Sequence, residues 1–548
     1  MRSSPLQLTG MVLALVVHAG CEGHARHHHG GPVARGGGPR VTLIEGLGSH
    51  YHPIATRSRL VQAYFDQGLN LLYAFDRDAA ERAFREGARL DPACTMCFWG
   101  AAMALGPDIN TPADPDRTRD AFRALEEARA LVRHAPPIEQ AYVAALTERY
   151  RPDPTSAREP LDRAYSDAMR RLSRAFPDDL DAATLFAESL MDLHPWDLWL
   201  DDGSPRPETT EIVSTLERVL ASDPYHPGAN HYYIHAVEAS PHPERAIAAA
   251  DRLGRLMPAA GHIVHMPSHI YMRVGRYADA SDANARAIEV DREYIAHQHP
   301  GGMYGMYAAH NFAFLSHAAA MEGRFATALN AARALASVAP AEHLAHMPPA
   351  LVAIPLPVMT LLRFERWNEV LAEPLPAEML RYPLAMTHFA RGVASARLGR
   401  IDDARTEAST LDAMRVHTAT DEIAGNNRVV DLLEIATHVL AAEIDRADGR
   451  GDEAIASLVD AVQREDRLRY DEPADWYPSV RLRLGEAHLA AHQYAEAERT
   501  YREDLRRNPE NGWALRGLVT ALRGEGNEAE AARVEQRFRA AWRRADAP

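Results

Sequence analysis

In "YFDQGLNLLYAFDRDAAERAFREGARLDP", residues 64–92, apolar side chains recur every three or four positions, pause around "FDRD", and then resume. That spacing puts them on one face of each of two helices joined by a short turn. Gly68, Ala80, Phe84 and Pro92 mark the pattern with spacings of 12, 4 and 8, and Gly485, Ala497, Tyr501 and Pro509 repeat it near the C-terminus. Weaker copies place Gly392 before Ala404, Ala531 34 residues after Ala497, and Ala246 34 residues before Ala280, with Pro258 between them. No strand-type alternation of any length appears. Stretches near 105–225 and 340–384 are degenerate, and "HPWDLWLDDGSPRP" (194–207) and "IAHQHPGGMYGM" (295–306) break the period with Pro, Gly and aromatic residues, as long loops do.

The 34-residue period, with its small and aromatic positions and closing proline, resembles the tetratricopeptide repeat over most of residues 56–545. The resemblance implies an all-α, right-handed solenoid of helix–turn–helix units whose first helices line a concave groove. Physically, one helix pair cannot bury its apolar face alone, so successive pairs stack into a continuous core. The repeats divide into 56–225, a histidine-rich 226–340, and 341–548. Such repeats serve mostly as scaffolds, so the resemblance is nearly silent on activity. The chain is also similar to exported bacterial proteins of this class with His-rich repeats, a likeness that carries no activity with it.

Composition narrows the partners. With 60 basic and 76 acidic residues among 548, the net charge is −16, which argues against nucleic acid, since phosphate binding needs a clustered cationic face. Residues 1–21 read as an export signal: Arg2, an apolar run too short to span a bilayer, then "HAGC" ending at Cys21. That ending resembles a lipoprotein cleavage box, with Cys21 as the lipidated residue and His18 where an aliphatic residue is usual. The expected location is periplasmic or membrane-anchored. Residues 22–55, with His27–His29, read as a flexible Gly/His-rich tether. Cys94 and Cys97 form a lone C-x-x-C, read either as a local disulfide or as a redox-active or metal-binding pair at a helix start.

Candidate chemistry sits in the histidines. Eleven of the 27 fall between His226 and His317, and "GHIVHMPSHIY" (261–271) alone holds three. His231 and His265 are 34 apart, as are His235 and His269; an insertion displaces the next repeat by 48, which relates His262 to His310 and His269 to His317. The expectation is a lattice of seven imidazoles (His231, His235, His262, His265, His269, His310 and His317) facing the groove, with Glu238 on the same helical face as His231 and His235. Neutral imidazoles suit zinc, copper or iron, so a transition-metal site is expected, with Glu238 as ligand or general base of a metal-dependent reaction. The alternatives are a pH-sensitive peptide groove, an ion store without catalysis, and an envelope scaffold that binds a protein or peptide and no metal. His297, His299 and the "HPWDLW" residues are candidate covers, and Asn230 and Asn311 are candidate supports or helix caps; His343 and His346 lie outside the register. Pro267 should start or kink a helix among the three clustered histidines. No G-x-S-x-G elbow, phosphate-cradling Gly loop or H-E-x-x-H is present.

Overall fold

The computed structural model describes residues 41–200, 202–298, 304–336 and 348–546. The signal, Cys21, His27–His29, His299, His343 and His346 lie outside them. Among the described residues the chain is a succession of packed helix pairs, an all-α solenoid of tetratricopeptide-like units. Its sheet content there is one pair of two-residue strands, Ile423–Ala424 with Asn427–Arg428, and a bridge between Trp199 and Pro205. No described helix is long and apolar enough to cross a membrane.

The marker residues show why the repeat has its composition. Phe84, on the helix Arg77–Leu90, is fully buried between Gly68 and Gly100 on the first helices of its own and the following unit. A Cβ at either glycine would stand 2.7 or 2.4 Å from the Phe84 ring. Tyr501 sits the same way between Gly485 and Gly517, where a Cβ would meet its ring at 2.4 and 2.2 Å. The aromatic needs both glycines because the interior is close-packed.

The ends of the solenoid return to its middle. Tyr277 Oη donates to Pro509 O at 2.9 Å, and the indoles of Trp513 and Trp542 donate to Ala320 O and Met321 O, both at 3.1 Å. Arg544 pairs with Asp282 at 2.8 Å. Gly275, in the turn before Tyr277, has φ +79°, and a Cβ there would lie 2.4 Å from Pro509 O, so glycine answers both the turn and the close approach. At the other end, the helix Arg59–Tyr73 packs against the helix Pro227–Glu238. The central repeats are therefore enclosed from both sides.

Residues 41–58 form a strap along the Arg59–Tyr73 helix. Tyr64 Oη donates to Val41 O at 2.7 Å, and Ile44 N to Gln67 Oε1 at 2.7 Å. The tether reading therefore fails for 41–55, where backbone groups find fixed partners. The strap is pinned at Asp181, whose carboxylate takes His50 Nε2 and His52 Nδ1 at 2.8 Å each, Tyr73 Oη at 2.5 Å and His226 Nε2 at 3.2 Å. His226 Nδ1 accepts from Ala229 N, so its Nε2 carries the proton. Cys94 and Cys97 are bonded as a disulfide at the start of the helix Thr95–Leu105.

Burial would push the Asp181 carboxyl up, but the hydrogen bonds from His226, His50 and His52 hold it well below its usual range. Burial would likewise lower His50 and His52, and the Asp181 bond and charge raise both. The Asp181 contribution is present above an ordinary carboxyl pKa of about 3.9 and lost as pH falls below it; the histidine contribution is full below about 6.5 and fades as pH rises through the raised values. The strap should thus be held most firmly between about pH 4 and 6.5. Limited trypsinolysis is expected to cut at Arg57 faster at pH 8.5 than at pH 6, relative to a peptide control, and Asp181→Asn should make the cut fast at both. Equal protection of wild type and variant would show that the apolar and backbone contacts hold the strap without the charge.

Candidate metal centre

The helix Pro227–Glu238 carries His231 and His235 one turn apart, and the short helices Gly261–His265 and Pro267–Arg273 carry His262, His265 and His269. Pro267 stands at the first position of its helix, where a missing amide hydrogen is no loss, and Met266 keeps right-handed helical angles across the join. The break is thus slight, and His265 and His269 remain on one face. His310 comes from the helix Tyr304–Met321. Two clusters result, His231, His235 and His262, and His265, His269 and His310, each with ligand nitrogens within 4.8 Å of one another. They adjoin: the His262 and His265 rings lie 5.9 Å apart and the His235 and His269 rings 5.6 Å.

The second cluster is the first moved along one repeat. His231 and His235 become His265 and His269 by a step of 34, and His262 becomes His310 by the step of 48 that includes the insertion. Each cluster combines an i,i+4 pair with one histidine from the following repeat, so the unit crosses the repeat boundary. The convergence differs from the expected rows of equivalent positions. His317, third in the His235–His269 row, stands apart: its Nδ1 donates to Ala313 O at 2.9 Å and its ring packs on Tyr477 with centroids 4.5 Å apart. Its Nε2 has no hydrogen-bond partner.

Hydrogen bonds fix four tautomers. His231 Nδ1 faces Tyr73 O at 2.6 Å, and a carbonyl only accepts, so Nδ1 carries the proton. His235 and His269 each donate Nδ1–H to one oxygen of Glu238, at 2.8 and 2.5 Å. His265 Nδ1 donates to Asn284 Oδ1 at 2.7 Å, and the amide orientation follows from Asn284 Nδ2 donating to Ala280 O. Each of these imidazoles, while neutral, turns an Nε2 lone pair inward. His265 Nε2 and His269 Nε2 are 2.9 Å apart, and His231 Nε2 and His262 Nε2 are 3.2 Å apart. Two nitrogens bound to one ion at about 2.0–2.1 Å stand about 2.9 Å apart at a right angle and about 3.3 Å apart at a tetrahedral angle. The facing lone pairs of His265 and His269 need a cation between them: a proton on one ring, or a metal ion. His235 Nε2 is buried with no protein partner and belongs to a residue that lines a space for one water-sized molecule.

The site is enclosed where an open groove was expected. His231 and His265 are completely buried and His235 and His262 nearly so. Phe75 and Trp196, both at φ +59°, are held in the left-handed region that bulky residues avoid. Phe75 lies 4.6 Å from the His231 ring and 5.6 Å from that of His262, and Trp196 meets His235 edge-on at 5.5 Å. Phe75 stands in the turn between two helices, and Glu365 and His492 also take positive φ in their own turns. Tyr307 covers His262, and Phe314 fills the space between His265 and His269. From the C-terminal side, Glu472 comes within ligand range of Glu238 and His269, with Tyr470 Oη donating to Glu472. A cavity of about 20 Å³, room for one water-sized molecule, is lined by His194, Trp196, His235, Glu238 and Tyr470.

Burial and the neighbouring imidazoles hold His231, His262 and His265 well below the usual histidine range, and His310 at about 3. Burial also lowers His317, to about 4. His269 is the exception, where the Glu238 charge and bond outweigh burial and raise it. For Glu238 burial is outweighed by His269 and His235, which bring it to about 2, while burial lifts Glu472 to about 7.

Several expected roles change. Glu238 accepts an Nδ1 hydrogen on each oxygen, so it orients two histidines, and it keeps lone pairs within ligand range of His269 and Glu472. Asn230 donates to Pro224 O and His226 O, and Asn311 to Asp291; neither supports a clustered histidine. His297 Nδ1 donates to Glu293 O on its own helix, and the exposed ring joins neither histidine cluster among the described residues. Sequence reading missed Asn284, Phe75, Tyr307 and Glu472, because an asparagine mid-helix or an aromatic in another repeat gives no local signal.

No protein-family model matches the chain, and no curated protein matches it. Among solved structures, a human IFIT1 dimer with m7Gppp-AAAA is similar at 13% identity and TM-score 0.34, covering 81% of this chain and 89% of that one. The APC/C hetero-tetramer Cut9-Hcn1 is similar at 13% identity and TM-score 0.29, with 86% and 78% covered. The TPR domain of P58(IPK) is similar at 14% identity and TM-score 0.23, with 85% and 98% covered. The fold assignment rests on the helices themselves, and the site's chemistry on its hydrogen bonds.

Replacing Asn284 with Leu would leave the His265 Nδ1–H buried without its acceptor. The variant is expected to lose about 1–3 kcal/mol of stability, the cost of an unsatisfied buried donor, read from urea-unfolding midpoints. An unchanged midpoint would show that Asn284 does not set the His265 tautomer.

Proposed function

We propose that this chain is an exported scaffold of stacked helix pairs that holds transition-metal ions in two adjacent three-histidine sites. The observation that carries the reading is the pair of Nε2 atoms of His265 and His269, 2.9 Å apart, with both Nδ1 hydrogens committed to acceptors. The first cluster gathers His231, His235 and His262, with His231 Nε2 3.2 Å from His262 Nε2 and the His262 Nδ1 uncommitted. Nitrogen-only sets of neutral imidazoles suit zinc, copper or iron. Glu238, Asn284 and Tyr73 O are the outer supports that such ligands ordinarily have, fixing ring orientation and raising nitrogen basicity. A bound ion with an open position supplies Lewis-acid or redox chemistry. The space beside His235 and Glu238 admits a molecule no larger than water or dioxygen unless Trp196 moves.

The solenoid form is consistent with a protein or peptide partner as well. The clustered histidines are too enclosed for a peptide to reach, so a partner of that kind belongs on the outer surfaces. The export reading rests on residues 1–21 and Cys21, and the Cys94–Cys97 disulfide supports an oxidising compartment.

Elemental analysis of protein reconstituted with zinc, copper or iron and then desalted is expected to give close to two ions of one metal per chain. His235→Ala and His269→Ala should each remove one, and the double variant both. Chelator should lower the melting temperature of wild type and leave the double variant unchanged. Desalted protein free of all three metals, with a melting temperature indifferent to them, would overturn the proposal in favour of a metal-free scaffold.

A further inference from the structure

Arg363 ends the helix Leu356–Arg363 with its side chain 6% exposed. A cation so buried is ordinarily paired with a carboxylate. Among the described residues it forms no ion pair: the guanidinium lies 4.5 Å over the Trp513 ring and 5.3 Å over that of Tyr477, its Nη2 reaches only Met321 Sδ at 3.8 Å, and its Nε has no partner. Cation–π contact offsets only part of the lost hydration. Burial, reinforced by the charge of Arg483, lowers its pKa from the ordinary value.

Arg363 lines a cavity of about 230 Å³ between the repeats around 362–367 and those around 478–520. Arg516, an exposed lining residue, also lacks an ion pair among the described residues, and lies 5.2 Å over the Trp513 ring and 5.7 Å over that of Trp542. Arg483 is tied to Glu443 at 2.6 Å and Glu486 to Arg397 at 2.9 Å, so these lining charges are already answered. Glu365 is the remaining acid on the wall, at the exposed rim. Leu362, Leu482 and Trp513 give the interior an apolar surface. The cavity thus has a buried cation without an ion pair, Arg363, on which Glu486 and the buried Asp504 act only through their charge. A second cation, the exposed Arg516, stands on its wall, with hydrocarbon between.

We propose that this cavity binds a small organic carboxylate, whose anionic group pairs with the buried Arg363 fork while its hydrocarbon body lies against Trp513 and Leu482. A guanidinium presents two parallel N–H donors that match a carboxylate in bidentate fashion. The volume accommodates a body of roughly benzoate or hexanoate size, and Glu365 at the rim disfavours a dianion such as phosphate. The site is separate from the histidine clusters and does not depend on their holding a metal.

The test uses the full chain, titrated with sodium benzoate, sodium hexanoate, the neutral analogues benzyl alcohol and hexanol, and inorganic phosphate, by calorimetry and tryptophan fluorescence. At least one carboxylate is expected to saturate at sub-millimolar concentration, with its neutral analogue weaker by about tenfold or more, the effect of losing a charged hydrogen-bond partner. Arg363→Met, which keeps the stem and removes the buried charge, should weaken carboxylate binding by about tenfold or more. Arg516→Gln changes an exposed side chain, so it reports even if the Arg363 variant fails to fold; it should weaken binding several-fold. Absence of saturation by either carboxylate overturns the proposal. So does binding unchanged in the variants, or saturation by phosphate alone.

Discussion

A buried carboxylate with an imidazole on each oxygen sets the geometry at the centre of this molecule. Glu238 ends the helix that carries His235 and reaches across to His269 on the next first helix. By accepting both Nδ1 hydrogens it selects the same tautomer in both rings and turns both Nε2 atoms away from itself, one into each cluster. Neither ring can rotate without breaking a charge-assisted bond in a water-poor interior, where leaving such a group unpaired is expensive. The two clusters therefore share one orienting group and are mechanically coupled whatever lies between their nitrogens.

Repetition does the rest. A tetratricopeptide-like stack superposes equivalent residues at a regular step, so a histidine pattern that closes on itself once closes again in the next repeat. The supports need not be copied: His231 leans on a backbone carbonyl from the first repeat, and His265 on an asparagine amide from the second helix of its own. A third copy is missing because Ala313 stands where the step of 48 from His265 would place a histidine. That leaves His317 alone beside Tyr477 and the Arg363 cavity.

The period, the marker residues and the registered histidines were legible because each is a local or periodic property. Gly68, Phe84 and Pro92 announce a helix pair, and two spacings relate one triad to the other. What the sequence concealed depends on where distant repeats meet. Nothing in "AFDRD" says that Phe75, at the positive-φ turn position it shares with Gly399, His492 and Gly526, will lie over three histidines, and nothing in "YDEPADWY" says that Glu472 will approach Glu238. The open groove was the natural expectation for a linear stack, and it failed because the stack bends back on itself. Similarly, His50 and His52 look like tether residues until Asp181, about 130 positions away, supplies their acceptor.

That closure alters how the protein must unfold. In an ordinary solenoid each unit answers only to its neighbours, so fraying starts at an end and the damage stays local. Here the terminal unit grips the middle through Tyr277, Trp513 and Trp542, and the first unit grips it through Tyr73 and Phe75. The ends, usually the loosest part of such an array, become fasteners. A linear array with open boundaries is thereby turned into something closer to a ring, whose parts stand or fall together.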